Sequence, residues 1–433
     1  SEQLRAQADA ALRAMLAFAA QHTPFYRDVF SGDRLRLSDI RGIQDLHRLP
    51  VLTKDELIDK EMAFRADTLP GNERATHTAY SSGTTGRRTR VRMTHRANMM
   101  FTILACRQYR WFRFDPTGTM ARLMAPRNFA DPLDEHPPYD ARTDSPHWPY
   151  AATFFETGSC HDLSCAVSRE EQLDWLDELS PSVIVGYPGN LEELAFARPN
   201  PPLSQGLEGV LAISAQMTQP MRERLESSFA VPVDQNYGAN EVGIIAIRCR
   251  AGRYHVQQEH CLVEVADEQG RPCAPGQDGR ILVTGLSNLA MPLFRYELGD
   301  QARAQDGPCP CGRNQPHFTH LEGRFRRWHN VPPDSHRKFR VIVDALHTAP
   351  AELLTSVREY QVHQKLDQSL EFRIASREPL PSALVELIQD CWRHYCPDAG
   401  DALTIVRVGG FDMPPNGKLP EFTTDYPDRP YEP

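Results

Sequence analysis

At 433 residues the chain is too long for one hydrophobic core, so we expect at least two domains. Its composition, with 40% hydrophobic and 24% charged residues, is typical of a globular protein, and its formal net charge of −9 disfavours nucleic-acid binding. The sequence has no apolar run of about 18 residues that would predict a transmembrane helix. Residues 1–5 lack the apolar core of a signal peptide, which predicts a cytoplasmic protein. The net charge and the missing apolar run predict that it has neither a nucleic-acid nor a membrane partner.

The first 75 residues are predicted to be mainly helical, with connections that contain proline. Thr53, followed three residues later by Glu56, fits a capping box that opens a helix. From about residue 76 to 325, β-rich runs alternate with helical stretches, which predicts α/β layering. Val183–Gly186 and residues 210–213 have the apolar character of buried parallel strands. The segment 116–150 is dense in proline, aspartate and glycine and predicts a long loop.

A loop suited to polyphosphate occupies residues 81–88. It consists of Ser81, Ser82, Gly83, Thr84, Thr85 and Gly86, followed by Arg87 and Arg88. Glycines let backbone amides approach an anion, hydroxyls donate to phosphate oxygens, and arginines add positive charge. The loop lacks the lysine of a Walker loop, and its extended flanks predict that it joins two strands. A solvated turn is the alternative, but it would not require this order of residues.

Three later segments carry polar groups in positions suited to a nucleotide. The first places Tyr237 and Glu241 close enough to stack on a base and reach Mg²⁺. The second presents Asp300 after a glycine, as on a turn that receives ribose hydroxyls. The third exposes Lys418 on a stiff turn near the C-terminus. Taken singly, each segment is also compatible with a solvated surface turn.

Beyond about residue 325 a small α+β pattern begins. Residues 370–374 alternate as in a strand, Pro381 lies at a helix start, and residues 403–408 predict another strand. This pattern predicts a separate lid domain of about a hundred residues, which is in the usual size range of a domain.

Together and in this order, the segments resemble those of the adenylate-forming superfamily of acyl- and aryl-CoA ligases, adenylation domains and luciferases. Its members carry a Ser/Thr/Gly loop, a Tyr-Gly segment ending in Glu, an Arg-Tyr segment ending in Gly-Asp, a Gly-Arg hinge (323–324 here) and a C-terminal Gly-Lys. The phenylacetate-CoA ligase branch is the closer match. It is indicated by Pro24-Phe25-Tyr26-Arg27, Ala290-Met291-Pro292-Leu293 and Cys309-Pro310-Cys311-Gly312-Arg313. The resemblance covers most of the chain up to residue 324.

The resemblance implies an α/β fold with a large N-terminal domain, residues 1–324, that binds ATP and the acid. A small, mobile α+β lid domain, residues 325–433, would carry Lys418. The catalytic residues implied are Lys418, Glu241 as the Mg²⁺ ligand, and Arg324. Residues 81–86 would hold the β- and γ-phosphates, and Asp300 the ribose. Further nucleotide contacts are expected from Ala215, Gln216, Met217, Asn236, Tyr237, Gly238 and Asn240. The acyl pocket is expected to include Tyr187, Pro188, Gly189 and Ala239.

Members of this superfamily convert a carboxylic acid and ATP into an acyl-adenylate and pyrophosphate, and then transfer the acyl group to a thiol, usually that of CoA. The resemblance therefore implies ATP, Mg²⁺ and CoA, with an aryl or cyclic acid as substrate. The chain departs from its relatives after the hinge, where residues 325–333 lack the usual acid and glycine, and Asn240 replaces a threonine. These departures leave an amine or a carrier-protein pantetheine arm open as the acceptor. A non-catalytic nucleotide-binding scaffold is a third reading, disfavoured by the retention of Glu241, Asp300 and Lys418. Monomer and homodimer both stay open.

Ten cysteines are too few for a disulfide scaffold in a chain of this length, and four side chains have the spacing of a metal site. Cys309 and Cys311 form a knuckle, while Cys249 and His255 lie on a predicted hairpin. Three thiolates and one imidazole make a closed, structural Zn²⁺ site, and the resemblance places a cysteine-rich insert here. The alternative is a group of reduced, buried cysteines, with residues 260–261 as competing ligands.

Overall fold

The computed structural model describes residues 2–32, 35–80, 89–124, 142–165, 167–198, 206–215, 217, 219–322, 342, 345–346, 349–354, 356–367, 369–396, 402–411 and 422–425. None of the helices within these ranges is both long enough and apolar enough to cross a membrane.

The N-terminal segment is helical, as predicted. Its helices are α1 (Glu2–His22), α2 (Pro24–Ser31), α3 (Lys54–Asp59) and α4 (Glu61–Phe64), with 3₁₀ turns at Leu37–Asp39 and Ile43–Arg48. The Thr53 hydroxyl accepts a hydrogen bond from the Glu56 amide at 3.2 Å, so the predicted start of α3 is confirmed. Tyr26 and Phe64 pack with Phe294 in one apolar core, which joins these helices to the large sheet.

The predicted phosphate loop lies between two paired strands. β1 (Ala75–Tyr80) and β2 (Arg90–Thr94) run antiparallel, which confirms that residues 81–88 connect two strands and do not open a helix. Helix α5 (His95–Phe112) follows β2, and the Thr94 hydroxyl accepts from the Ala97 amide at 3.2 Å to cap its start.

A twelve-stranded mixed sheet forms the centre of the molecule. Its strands are β3 (Met120–Met124), β4 (Arg142–Ser145), β5 (Cys160–Ser164), β6 (Val183–Gly186), β7 (Gly209–Ala212), β8 (Val233–Ala239), β9 (Gly243–Arg248), β10 (Tyr254–Val256), β11 (Cys261–Ala266), β12 (Asp278–Gly285), β13 (Tyr296–Ala304) and β14 (His317–Glu322). Their spatial order is β11-β12-β13-β14-β10-β9-β8-β7-β6-β3-β5-β4. The run β5-β3-β6-β7-β8 is parallel, and the remaining pairs are antiparallel.

Helices α6 (Arg169–Leu179), α7 (Pro188–Ala197) and α8 (Gln219–Phe229) connect the parallel strands and pack over them. This layering confirms the predicted α/β fold class and the two buried strands. The prediction of a loop throughout 116–150 was wrong, because β3 and β4 both lie inside that segment. Strand β3 is only five residues long, and the proline and glycine residues around it hid its strand pattern.

A second, four-stranded sheet lies near the C-terminus. Its strands are β15 (Val357–Gln364), β16 (Leu370–Ser376), β17 (Leu403–Val408) and β18 (Phe422–Thr424), in the order β17-β16-β15-β18. Helix α9 (Ser382–Tyr395) starts after Pro381, as predicted, and packs on this sheet through Ile388 and Trp392. The domain boundary at 324/325 falls outside the described residues and stays a prediction.

Contacts join β15 to the helices of the large sheet. The Arg358 guanidinium lies 3.5 Å from a carboxylate oxygen of Glu193 on α7. Arg224 of α8 donates to the Leu354 carbonyl at 3.5 Å. The C-terminal sheet therefore packs against α7 and α8 in this arrangement.

Candidate functional site

The predicted nucleotide and acyl-pocket residues that the structure describes lie near one edge of the parallel sheet. Strands β6, β7 and β8 end at Gly186, Ala212 and Ala239, next to the predicted acyl and nucleotide segments. The Ile213 amide donates to the Gly186 carbonyl at 3.0 Å, so these strand ends are in direct contact. In open α/β sheets, ligands bind outside the carboxyl ends of the parallel strands. The topology therefore brings together segments that are far apart in sequence.

The residues on either side of the predicted phosphate loop are hydrogen-bonded to the turn after β8. The Asn240 side-chain amide donates to the carbonyl of Tyr80, the last residue of β1, at 2.6 Å. At the other end, the hydroxyl of Thr89 donates to Glu241 Oε1 at 2.9 Å. Residues 81–88 themselves lie outside the described residues, but their flanks are fixed beside Asn240 and Glu241.

Glu241 is buried and oriented, unlike a solvated turn residue. It is 7% exposed, and Oε1 accepts from the Thr89 hydroxyl and, at 3.0 Å, from the Tyr296 hydroxyl. Among the described residues, Oε2 receives no hydrogen bond. A carboxylate with one oxygen held and the other available fits Mg²⁺, which is usually bound by one or two carboxylates together with substrate phosphates.

Asp300 lies beside Tyr237, although the two are 63 positions apart. The Tyr237 hydroxyl donates to Asp300 Oδ2 at 2.6 Å. The prediction that Asp300 lies on a turn was wrong, because it belongs to β13, at an irregularity opposite β12. There Leu282 pairs with Glu297 and Arg280 with Gln301, so β13 contains two extra residues. The φ of +83° at Gly299 permits this bulge, which aims Asp300 at the site.

The remaining predicted nucleotide contacts that the structure describes lie around the ends of β7 and β8. Asn236 donates to Gln108 Oε1 on α5 at 2.5 Å, and Gln235 donates to the Ala215 carbonyl at 3.1 Å. Met217 is buried. Gly238 has no room for a side chain, because a Cβ there would lie 2.6 Å from the Gly243 carbonyl oxygen.

The predicted acyl-pocket residues lie at the same sheet edge. Tyr187 and Pro188 begin α7 directly after β6, and Ala239 ends β8. A Cβ placed on Gly189 would lie 3.7 Å from a carboxylate oxygen of Glu359 on β15, so the C-terminal sheet approaches this segment. Burial, together with the nearby Glu193, raises the pKa of Glu359 to about 7.

Four predicted metal ligands converge in a separate cluster. The ligand atoms of Cys249, His255, Cys309 and Cys311 all lie within 4.8 Å of one another. The Cys249 and Cys309 sulfurs are 3.7 Å apart, and Cys311 Sγ lies 3.3 Å from His255 Nε2. Tetrahedral Zn²⁺ with Zn–S bonds of about 2.3 Å separates its sulfurs by about 3.7 Å, so the donor set fits this ion.

The protonation of the cluster also suits a metal. Burial lowers the pKa of His255 to about 4, which keeps its imidazole neutral. Burial raises the pKa of Cys311, but hydrogen bonds from Arg313 outweigh this effect and bring it to about 7. The competing ligand His260 is instead paired with the Val242 carbonyl at 2.7 Å and with Ser287 at 2.8 Å. The predicted grouping is therefore confirmed, whereas the identity of its ion stays a prediction.

Several predicted site residues lie outside the described residues. They are Ser81, Ser82, Gly83, Thr84, Thr85, Gly86, Gln216, Arg324 and Lys418, together with the altered segment 325–333. Sequence reasoning missed Thr89 and Tyr296, the two hydroxyls on Glu241. The sequence offered one signal for each residue: Thr89 follows the predicted phosphate loop directly, and Tyr296 lies inside the Arg-Tyr segment.

Comparisons with known proteins agree with this architecture. No protein-family model matches the chain. A phenylacetate-coenzyme A ligase of Thermus thermophilus is 26% identical over 338 residues, covering 75% of this chain and 71% of the relative. The enzyme of the same name from Escherichia coli is 26% identical over 313 residues, covering 71% and 68%.

Solved structures share the fold. A 2-hydroxyisobutyryl-CoA ligase in the postadenylation state, in complex with 2-HIB-AMP, superposes with a TM-score of 0.70 at 18% identity, covering 96% of this chain and 89% of that one. In sequence the chain resembles the phenylacetate-CoA ligases, and it shares the fold of the 2-hydroxyisobutyryl-CoA ligase, in agreement with the resemblance that its motifs indicated.

Proposed function

We propose that the protein is an AMP-forming acid–CoA ligase. The observation that carries the proposal is the pair of contacts that fix the two ends of the phosphate loop, Tyr80 to Asn240 and Thr89 to Glu241. They hold the two flanks of the predicted loop beside Glu241, a carboxylate suited to Mg²⁺, and Asp300 is hydrogen-bonded to Tyr237 on the adjoining strand β8. The names of the relatives, which are ligases of phenylacetate and CoA, support the same reaction.

In the first half-reaction, a carboxylate oxygen of the acid attacks the α-phosphorus of ATP. A new bond joins that oxygen to phosphorus, the bond between the α-phosphorus and the bridging oxygen to the β-phosphate breaks, and pyrophosphate leaves. Charge neutralisation lowers the barrier to such a displacement. The Lys418 ammonium bridges the two reacting groups as a mobile point charge, Asp300 accepts from the ribose hydroxyls, and Arg324 contacts ribose or phosphate. Glu241 would hold Mg²⁺, which would supply positive charge to the phosphates.

In the second half-reaction, a thiolate attacks the acyl carbonyl and AMP leaves. We propose that the C-terminal unit, residues 325–433, rotates as a lid between the two steps and withdraws Lys418. The acceptor is CoA, as in the named relatives, and the acid is aryl or cyclic, like phenylacetate. An amine or a carrier-protein pantetheine arm is the competing acceptor, because segment 325–333 departs from the usual pattern.

We further propose that Cys249, His255, Cys309 and Cys311 hold one structural Zn²⁺. Four protein ligands leave no open position on a tetrahedral ion, which excludes a catalytic role. The ion would tie the β9–β10 hairpin to the connection after β13, and therefore fix the strands that carry Tyr237 and Asp300.

The test is a product assay with purified protein, ATP and Mg²⁺ against a panel of aryl, cyclic and aliphatic acids. Each acid is incubated with CoA, with an amine mixture and with a pantetheine-loaded carrier protein, and products are identified by mass spectrometry. An acyl-CoA with stoichiometric AMP is the expected result. If an amide or an acylated carrier protein forms instead, the acceptor is an amine or the carrier protein, and the adenylation half-reaction is still supported. Formation of ADP, or of no AMP with any acid, would contradict the proposal.

A further inference from the structure

A second cleft lies at the opposite end of β8. It occupies about 560 Å³ between α8, the start of β8 and the end of β9, and its charged lining comprises Arg222, Glu226, Asp234, Arg248 and Arg250. Asp234 precedes Glu241 by seven residues, and at about 3.3 Å per residue the cleft lies roughly 20 Å from the nucleotide site. It is therefore separate from the site proposed above, and its volume is in the range of small-molecule pockets.

The lining of this cleft contains an unsatisfied acceptor. Asp234 is 7% exposed, and its Oδ2 is buried without a hydrogen-bond partner. Buried polar atoms in folded proteins almost always have partners, and a carboxylate oxygen accepts from any N–H or O–H group. Asp234 therefore gives the cleft lining a carboxylate that lacks its full set of hydrogen-bond donors.

Two arginines in the same lining have no close hydrogen-bond or ion-pair partner for their side chains in the described ranges. The side chains of Arg248 and Arg250 neither donate a hydrogen bond nor form an ion pair within 4.0 Å of another residue in the described ranges, although both attract the Asp234 carboxylate over a longer distance. Arg222 is different, because it is buried and donates to the Val233 carbonyl and to Gln235. Guanidinium groups are matched in geometry to phosphate oxygens, so Arg248 and Arg250 provide the anion-binding side of the cleft.

We propose that this cleft binds a phosphorylated ribose, with the phosphate on Arg248 and Arg250 and a hydroxyl donating to the Asp234 carboxylate. A sugar phosphate can pair its phosphate with the arginines and donate a hydroxyl to Asp234 at the same time. Inorganic phosphate pairs mainly with the arginines. Free sugar phosphates and the 3′-phosphoribosyl end of CoA share this chemistry. The inference is independent of the proposed ligase activity, because binding needs neither the acid nor turnover.

The test is isothermal titration calorimetry at low ionic strength with the full chain. The probes are ribose 5-phosphate, adenosine 3′,5′-bisphosphate, inorganic phosphate and unphosphorylated ribose. Ribose 5-phosphate is expected to bind, and Arg248→Ser/Arg250→Ser to weaken it by at least about 10-fold, because charge-assisted hydrogen bonds are lost. Asp234→Asn is expected to strengthen the binding of inorganic phosphate, because a negative charge beside the arginines is lost, and to weaken ribose 5-phosphate relative to inorganic phosphate.

The matched control is Arg110→Ser/Arg377→Ser, which removes two exposed arginines elsewhere and changes the net charge equally. Binding lost only in the cleft variants, with unchanged thermal unfolding, supports the site. Stronger arginine-dependent binding of adenosine 3′,5′-bisphosphate assigns the cleft to the nucleotide end of CoA, and equal binding assigns it to sugar phosphates. The site is refuted if ribose 5-phosphate does not bind at millimolar concentration, or if the control pair weakens binding as much.

Discussion

Thr89→Val removes one hydrogen bond from Glu241 while keeping the size of the side chain. Thr89 is fully buried, and its hydroxyl lies 2.9 Å from Glu241 Oε1. A hydrogen bond to a charged group contributes about 1.5–3 kcal/mol. Tyr296 still donates to the same oxygen at 3.0 Å, so we expect the lower figure to apply. A loss of about 1.5 kcal/mol corresponds to roughly 10-fold weaker binding by the carboxylate.

The assay is ATP–pyrophosphate exchange as a function of Mg²⁺ concentration. Thr89→Val should raise the Mg²⁺ concentration for half-maximal exchange by about 10-fold, which is the same loss of free energy expressed as affinity. Thr94→Val is the matched control, because Thr94 is an equally buried threonine that caps α5. Its loss should lower stability by about 1 kcal/mol without altering the Mg²⁺ dependence. Equal Mg²⁺ dependence of the wild type and Thr89→Val would refute the assigned role of Thr89, as would the same shift in the control.

Three further predictions follow from individual contacts. Tyr237→Phe removes the 2.6 Å hydrogen bond to Asp300 and should raise the KM for ATP in the exchange assay by about 10-fold, with kcat little changed. Cys249→Ser should reduce bound zinc from one per chain to near zero by mass spectrometry and lower the Tm, whereas Cys273→Ser, outside the cluster, should retain the metal. Burial raises the pKa of Glu359 to about 7, so its ionised form is disfavoured in the folded protein. The wild type should therefore lose stability relative to Glu359→Gln as the pH rises from about 4.5 through 7, as measured by urea unfolding. A stability difference that does not change with pH would contradict this.

Local sequence patterns predicted much of the fold because they depend on neighbouring residues. The capped start of α3, the helix after Pro381 and the paired strands around residues 81–88 are set by capping, by proline and by β-branched residues. The metal cluster was also predictable, since the spacing of Cys309 and Cys311 and the hairpin around Cys249 restrict where their sulfurs can lie.

Long-range contacts were not predictable in this way. Thr89 and Glu241 are 152 positions apart, and Tyr296 and Glu241 are 55 apart, so no local pattern relates their hydroxyls to the carboxylate. Asp300 was expected on a turn because a glycine precedes it, but pairing of β13 with β12 made the same residues a bulge. In each case the tertiary fold determined the partner, and the motif indicated only that a polar group was needed.

The central claim is that this site adenylates a carboxylic acid, and ATP–pyrophosphate exchange without any thiol or amine tests it most directly. Wild-type protein is predicted to exchange with at least one acid of the panel, and both Lys418→Ala and Glu241→Gln are predicted to lose that exchange while remaining folded. Exchange that persists in Lys418→Ala would contradict the assigned mechanism. Absence of exchange with every acid, in protein that still binds ATP, would contradict the ligase function itself.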